Sequence, residues 1–148
     1  MTPSPDGKGV FGSTWTWGSR LFYLDFKTRK VRDYGKAAGE EAKEWNHIIN
    51  DHVGGLFFGS DEQLYFVANL PVDGAARPHL VRCNPASGER EILSPLFCDG
   101  KYGDHISRGA FGADGKLYFA EAGNTPTKLF WCDVGLKPGK HGVRRTWG

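Results

Sequence analysis

Residues 104–119 read Asp104-His105-Ile106-Ser107-Arg108-Gly109-Ala110-Phe111-Gly112-Ala113-Asp114-Gly115-Lys116-Leu117-Tyr118-Phe119, and the same skeleton occurs 53 residues earlier. Asp51-His52 falls on Asp104-His105, Phe58-Gly59 on Phe111-Gly112, Asp61 on Asp114, and Leu64-Tyr65-Phe66 on Leu117-Tyr118-Phe119. Eight identities at one constant offset mark an internal repeat. Within each copy, aromatic and apolar residues flank a short polar turn, which is the pattern of a β-hairpin.

A third copy opens the chain. Asp6-Gly7-Lys8 matches Asp114-Gly115-Lys116, and Leu21-Phe22 and Leu129-Phe130 each follow their Asp by fifteen residues without a gap. The middle unit has the same segment at Leu80-Val81, with four extra residues before it. Leu24, Cys83 and Cys132 then coincide, followed by Asp25, Asn84 and Asp133, residue types that open turns by bonding nearby backbone. Each unit spells four short strands. In the middle unit they are expected at 55–58, 63–68, 79–83 and 89–93, and in the last at 108–111, 116–120, 128–132 and 143–147. The first unit starts at its own Asp-Gly turn, so it is expected to lack the innermost strand.

Four antiparallel strands repeated every ~40–55 residues make an all-β chain of the β-propeller type. It forms one domain, 1–148, with blades at about 4–36, 51–95 and 104–148. Propellers close with typically four to eight blades, so about three blades make an incomplete ring. Uncovered faces and edges need a cover. That cover is either the missing blades of a longer parent chain or a second copy closing the ring.

Composition agrees with this class: 14% aromatic residues and 21 Gly suit aromatic strands joined by tight turns. Nineteen basic and 17 acidic residues leave a net charge of +2, too balanced for a nucleic-acid partner. No apolar run approaches the ~18 residues of a membrane span, so no membrane partner is expected. Residues 1–7 carry no basic-then-apolar leader. The compartment is left open, a periplasmic or secreted parent included. The three cysteines show no metal-ligand spacing, and an odd count argues against a disulfide framework. Cys83 and Cys132 repeat on a strand and are expected to pack as small hydrophobes, with Cys98 a free thiol in a loop.

Ser4-Pro5-Asp6-Gly7-Lys8 and Asp114-Gly115-Lys116-Leu117-Tyr118-Phe119 resemble the blades of six- to eight-bladed propellers of the TolB-like, quinoprotein-like, lactonase-like and polysaccharide-lyase kinds. The resemblance covers nearly the whole chain, is most similar to the carbohydrate-active members, and implies the fold. Propellers host unrelated functions, so no catalytic residue is carried over from it.

Candidate site residues come from the repeat. Loops entering an inner strand and loops joining second to third strands meet at one mouth of a propeller channel. The first set carries His47, Asp51-His52 and Asp104-His105. A carboxylate beside an imidazole at a concave mouth suits general-base work at His52 and His105, oriented by Asp51 and Asp104. The same pairs also suit part of a divalent metal site. Equally, residues repeated in this way bond neighbouring backbone and lock blade to blade. The second set carries Trp15 and Trp17, flat surfaces for a sugar ring or for inter-blade packing. Asn69 and Asn124 in that set each offer a donor and an acceptor. Arg108, opening an inner strand, suits a carboxylate. Two functions follow. One is a carbohydrate-active enzyme of uronide lyase or hydrolase type, with its small-molecule or glycan ligand in the central funnel. The other is a non-catalytic module binding protein or glycan. No P-loop, nucleophile elbow, dinucleotide fingerprint or zincin helix decides between them.

Overall fold

The computed structural model describes residues 1–14, 19–37, 54–98, 100–103, 106–121, 128–132 and 141–145. Their strands run in chain order. β1 (Thr2–Pro3), β2 (Gly9–Ser13), β3 (Arg20–Asp25) and β4 (Val31–Lys36) form the first sheet. β5 (Gly54–Phe58), β6 (Leu64–Val72), β7 (Ala75–Cys83) and β8 (Arg90–Pro95) form the second. β9 (Phe97–Cys98) and β10 (Lys101–Tyr102) make a two-stranded ribbon. β11 (Ile106–Phe111), β12 (Leu117–Glu121), β13 (Lys128–Cys132) and β14 (His141–Arg145) form the third sheet. Every pairing is antiparallel between consecutive strands. Innermost strands neighbour one another, β1 beside β5 and β5 beside β11. The sheets are therefore successive blades of an all-β arc, and no sheet closes the ring among the described residues.

Strand alternation explains the stacking. Side chains along β6 point alternately to opposite faces. Leu64, Phe66 and Ala68 meet Phe11 and Leu21 of the first sheet, whereas Tyr65 and Val67 meet Leu117, Phe119 and Phe130 of the third. Each large apolar side chain fully buried this way contributes roughly 1.5–3 kcal/mol. The middle sheet is thus sandwiched. Cys83 and Cys132 are buried free thiols within these two layers, and burial pushes the Cys132 thiol up to about 12.

Three expectations change. The first blade does have an inner strand, reduced to two residues: Thr2 lies opposite Phe11 and Pro3 opposite Val10. Thr-Pro shares no residue with the aromatic inner strands of the other blades, and proline lacks a ladder donor, so the sequence pattern hid it. The segment 70–78 is not a loop. β6 and β7 continue as a ladder to Val72 opposite Ala75, closed by Asp73 (φ 49°) and Gly74 (φ 73°). Two consecutive positive φ values are the backbone of a type I′ turn, which Asp-Gly accommodates. Finally, the ungapped match between first and last units hides two compensating shifts. The first turn closes from Ser4 to Gly9, the last from Gly112 to Lys116. The first turn is one residue longer, and the following loop is one shorter. Hence Phe11, opposite Tyr23, is equivalent to Tyr118, opposite Trp131, and to Tyr65, opposite Arg82.

Candidate functional site

Most of the expected funnel lies outside the described residues: Trp15, Trp17, His47, Asp51, His52, Asp104, His105 and Asn124. The backbone of Arg108 is in β11, and its side chain is likewise outside the description. Asn69 is described and is not in a loop. It sits in β6 opposite Pro78, within the extended hairpin. Beside it, Arg77 of β7 places its guanidinium 4.6 Å from the centre of the Tyr102 ring, and its carbonyl meets His79 Nδ1 at 2.8 Å. Among the described residues no three His, Cys, Asp or Glu side chains are arranged to hold a metal ion. No helix among them is long and apolar enough to cross a membrane.

A concavity that the described residues form lies at the opposite end of the sheets. An open groove of about 700 Å³ runs between the first and second blades. It is bounded by the turns that join first to second strands, at Asp6 and Glu62, and third to fourth strands, at Asp25, Pro85 and Ala86. In an antiparallel four-stranded blade those turns share one end, and the second-to-third loops take the other.

Its floor is aromatic. Phe11 lies 4.8 Å from Tyr23, 5.9 Å from Tyr34 and 5.5 Å from Phe58 across the blade interface, measured between ring centroids. Tyr34 is fixed from two sides: its hydroxyl donates to the Pro85 carbonyl (2.6 Å), and its carbonyl accepts from Arg90 Nη2 (2.8 Å). Partial burial raises the Tyr34 phenol above its ordinary value, keeping it a neutral donor. The Arg32 guanidinium covers the Tyr34 ring at 4.7 Å.

The rim is charged and preorganised. Asp6 accepts from the Ser4 hydroxyl (2.7 Å) and the Lys8 amide (3.1 Å), and these bonds hold its carboxyl down at about 2. Asp25 accepts from the Thr28 amide (2.6 Å) and hydroxyl (2.8 Å), which lowers it likewise. Lys30 and Arg32 supply the cationic side of the rim. Donors, acceptors and flat apolar faces therefore converge on one cleft, with both carboxylates ionised at neutral pH. The sequence carried a signal for this site. Phe11, Tyr23 and Tyr34 make the first unit richer in rings at the interface than the middle one, where Arg82 stands at the Tyr23 position. The repeated Asp-His pairs, expected at the other mouth, lie outside the described residues.

No protein-family model and no curated protein sequence matches the chain. Among solved structures, the crystal structure of the tricorn protease aligns over 88% of this chain with a TM-score of 0.52 and 11% identity. The chain spans 13% of the length of that protein, which contains β-propeller domains. At this identity the likeness concerns the fold alone, and it agrees with the arc of blades described above.

Proposed function

We propose that this chain is a ligand-binding part of a β-propeller and that the groove between its first two blades holds a glycan. The observation that carries the reading is the pair of part-exposed rings Tyr23 and Tyr34, backed by the buried Phe11, between an acidic and a basic rim. Aromatic faces stack on the apolar side of a sugar ring. Carboxylate and guanidinium groups at the edge bond its hydroxyls, more strongly for being charged. About 700 Å³ falls within the ~300–1,000 Å³ of small-ligand sites. A protein partner would instead need a surface of about 800 Å² per side. The test is a titration with soluble neutral and uronate oligosaccharides, followed by amide shifts in two-dimensional NMR. Shifts centred on Tyr23, Arg32 and Tyr34, abolished in Tyr23→Ala, are expected. Absence of any shift at millimolar sugar overturns the reading.

A second reading places chemistry at the opposite mouth. It is favoured by the recurrence of Asp51-His52 and Asp104-His105 directly before β5 and β11, strands that pack side by side. There a uronide lyase or hydrolase would use His52 or His105 as the base. In a closed ring, His105→Ala then abolishes uronide-dependent turnover, and unchanged turnover removes this reading.

A further inference from the structure

The charges along the groove between the first two blades are sorted from the centre of the arc outwards. Strands β1, β5 and β11 neighbour one another at the centre, and β4 is the outermost strand of its blade. Asp6 and Glu62 belong to the turns that leave β1 and β5, so they stand at the inner end of the groove. Lys30 ends the turn before β4 and Arg32 lies on β4 itself, so they stand at the outer end. Asp25 opens that same outer turn.

Two of these carboxylates are already engaged. Asp6 Oδ1 accepts from Ser4 and Lys8, and its Oδ2 lies 3.2 Å from Lys8 Nζ. Asp25 Oδ1 accepts twice from Thr28. The cations are in the opposite condition: among the described residues neither Lys30 nor Arg32 pairs with a carboxylate. The next cleft along the arc shows how the same positions look when neutralised. There Arg82 and Glu91 stand where the first blade has Tyr23 and Arg32, and they form an ion pair. In the first blade the position opposite Arg32 holds Tyr23, and the Arg32 guanidinium lies over the Tyr34 ring instead.

Resting on the glycan reading above, we infer that the sugar held in this groove is acidic and that Arg32 receives its ring carboxylate at the outer end. Tyr23 and Arg32 are directly opposite across β3 and β4, so their side chains share one face. A sugar ring stacked on Tyr23 turns a carboxylate at its periphery towards the edge of the stack, where Arg32 stands. The planar fork of a guanidinium meets a carboxylate with two parallel bonds. Its stacking on Tyr34 holds the fork in advance of binding, which cuts the entropy lost on association. Tyr34 is fixed in turn: its hydroxyl donates to Pro85, and its ring lies against Gly88, where a Cβ would collide with it. Lys30 adds a second positive charge at the same end. Asp6 and Glu62 at the inner end accept hydroxyls and repel a carboxylate, which sets the direction of the chain in the groove.

The experiment is an NMR titration of the 148-residue chain with trimers of galacturonate and of glucuronate, their carboxyl-reduced neutral counterparts, and a neutral trimer bearing sulfate esters. A uronate trimer is expected to bind roughly tenfold more tightly than its reduced counterpart, and the preference should shrink as salt is raised. Arg32→Gln should bring the two affinities together. Arg32→Lys should restore only part of the preference, since a point charge lacks the fork. Arg32 is exposed, so neither change disturbs the core. Equal affinity of the parent chain for uronate and reduced trimers overturns this inference and leaves the glycan reading standing. Binding of no trimer overturns both. Tighter binding of the sulfated trimer overturns the carboxylate. A preference that survives Arg32→Gln overturns the assigned residue.

Discussion

The interface between the first and second blades and the interface between the second and third share a ring contact and differ in how the space around it is filled. Phe11 with Phe58 and Tyr65 with Phe111 hold the same separation, 5.5 Å. Around them, equivalent positions diverge. The amide of Ala37 bonds the Ser19 carbonyl as that of Leu96 bonds the Pro78 carbonyl, so a methyl stands in the first interface where an isobutyl stands in the second. Thr2 and Leu56 of the first correspond to Phe57 and Gly109 of the second, a large residue moving from one side of the seam to the other. Tyr23 and Arg32 correspond to Arg82 and Glu91, which pair as an ion pair. Beside the ring contact the first interface opens into an aromatic groove of about 700 Å³, whereas the equivalent end of the second blade carries a polar cavity of about 520 Å³ lined by Arg82, Arg90 and Glu91, and the seam beneath is packed by Phe57 against Phe111 and Phe119. The repeat dictates which backbone positions meet, and the side chains decide whether the cleft beside them is aromatic or polar and how tightly the seam beneath is filled.

The sharpest way to break that contrast is to remove the volume that distinguishes the second seam. Leu96→Ala gives it the residue that the first seam has at Ala37. Leu96 is 1% exposed, and truncating a buried leucine costs about 2–5 kcal/mol, part of it from the cavity left behind. Urea unfolding of the variant reads this loss. A change below about 1 kcal/mol would mean that the second seam is as loosely filled as the first.

Next in size is the exchange at Gly109. A Cβ there would come within 2.7 Å of the Phe119 ring and 2.8 Å of the Phe57 ring. Gly109→Leu therefore overpacks the seam, at about 1–3 kcal/mol. Adding Phe57→Thr recreates the Thr2–Leu56 arrangement of the first interface and should recover part of the loss. The two changes are expected to couple by about 0.5–3 kcal/mol, measured by a double-mutant cycle in urea. Simple additivity would contradict the proposed exchange of volume across the seam.

A smaller effect separates Tyr65 from Phe11. The Tyr65 hydroxyl donates to Asp61 Oδ2 at 2.8 Å, and Phe11, at the equivalent place, has no hydroxyl. Tyr65→Phe should cost ~0.5–1.5 kcal/mol, the net worth of one such bond. Burial, with the Asp61 carboxylate adding to it, pushes the Tyr65 phenol up to about 12. A raised folded value means that the native state holds the proton that the unfolded chain releases near ~10. Stability from this group is thus intact below pH 10 and is lost as pH rises towards 12. Tyr65→Phe should flatten that alkaline decline in unfolding experiments, and an unchanged decline would assign it to other groups.

These differences explain how far the sequence can be read. The offset of 53 residues located β5, β6, β11 and β12 because their aromatic residues repeat in place. β1 was hidden because two residues, one of them proline, carry no periodic signal. The β6–β7 extension was hidden because Pro71 and Pro78 read as loop, although the Asp73-Gly74 pair between them is a hairpin turn. The groove was legible only as an excess of rings in the first unit, at Phe11, Tyr23 and Tyr34. Its lining comes from turns and strands of two blades that meet only in the folded arc, so no single stretch of sequence spells it. The Asp-His pairs are the reverse case, conspicuous in sequence while lying outside the described residues.

The smallest expected effect tests whether the same turn is held differently at the two ends of the arc. Asp6 and Asp114 occupy equivalent turn positions, and each accepts the amide two residues on at 3.1 Å. Asp6 owes its depression to about 2 first to the Ser4 hydroxyl. Asp114 is lowered first by the Tyr118 hydroxyl, which donates at 2.8 Å. Depressed folded values mean that the native state binds these protons more weakly than the unfolded chain does. The resulting stability is present above the ordinary carboxylate range near ~4 and drains away as pH falls through the folded values. Both groups lie at the surface, so solvent screens the gain and the acid limb should be shallow. Carbon-detected NMR titration can follow each carboxyl separately. Ser4→Ala should return Asp6 towards the ordinary range and leave Asp114 unmoved, and Tyr118→Phe should do the opposite. If either change moves both carboxyls together, the two turns are coupled through the sheets and the blade-by-blade account of this molecule fails at its ends.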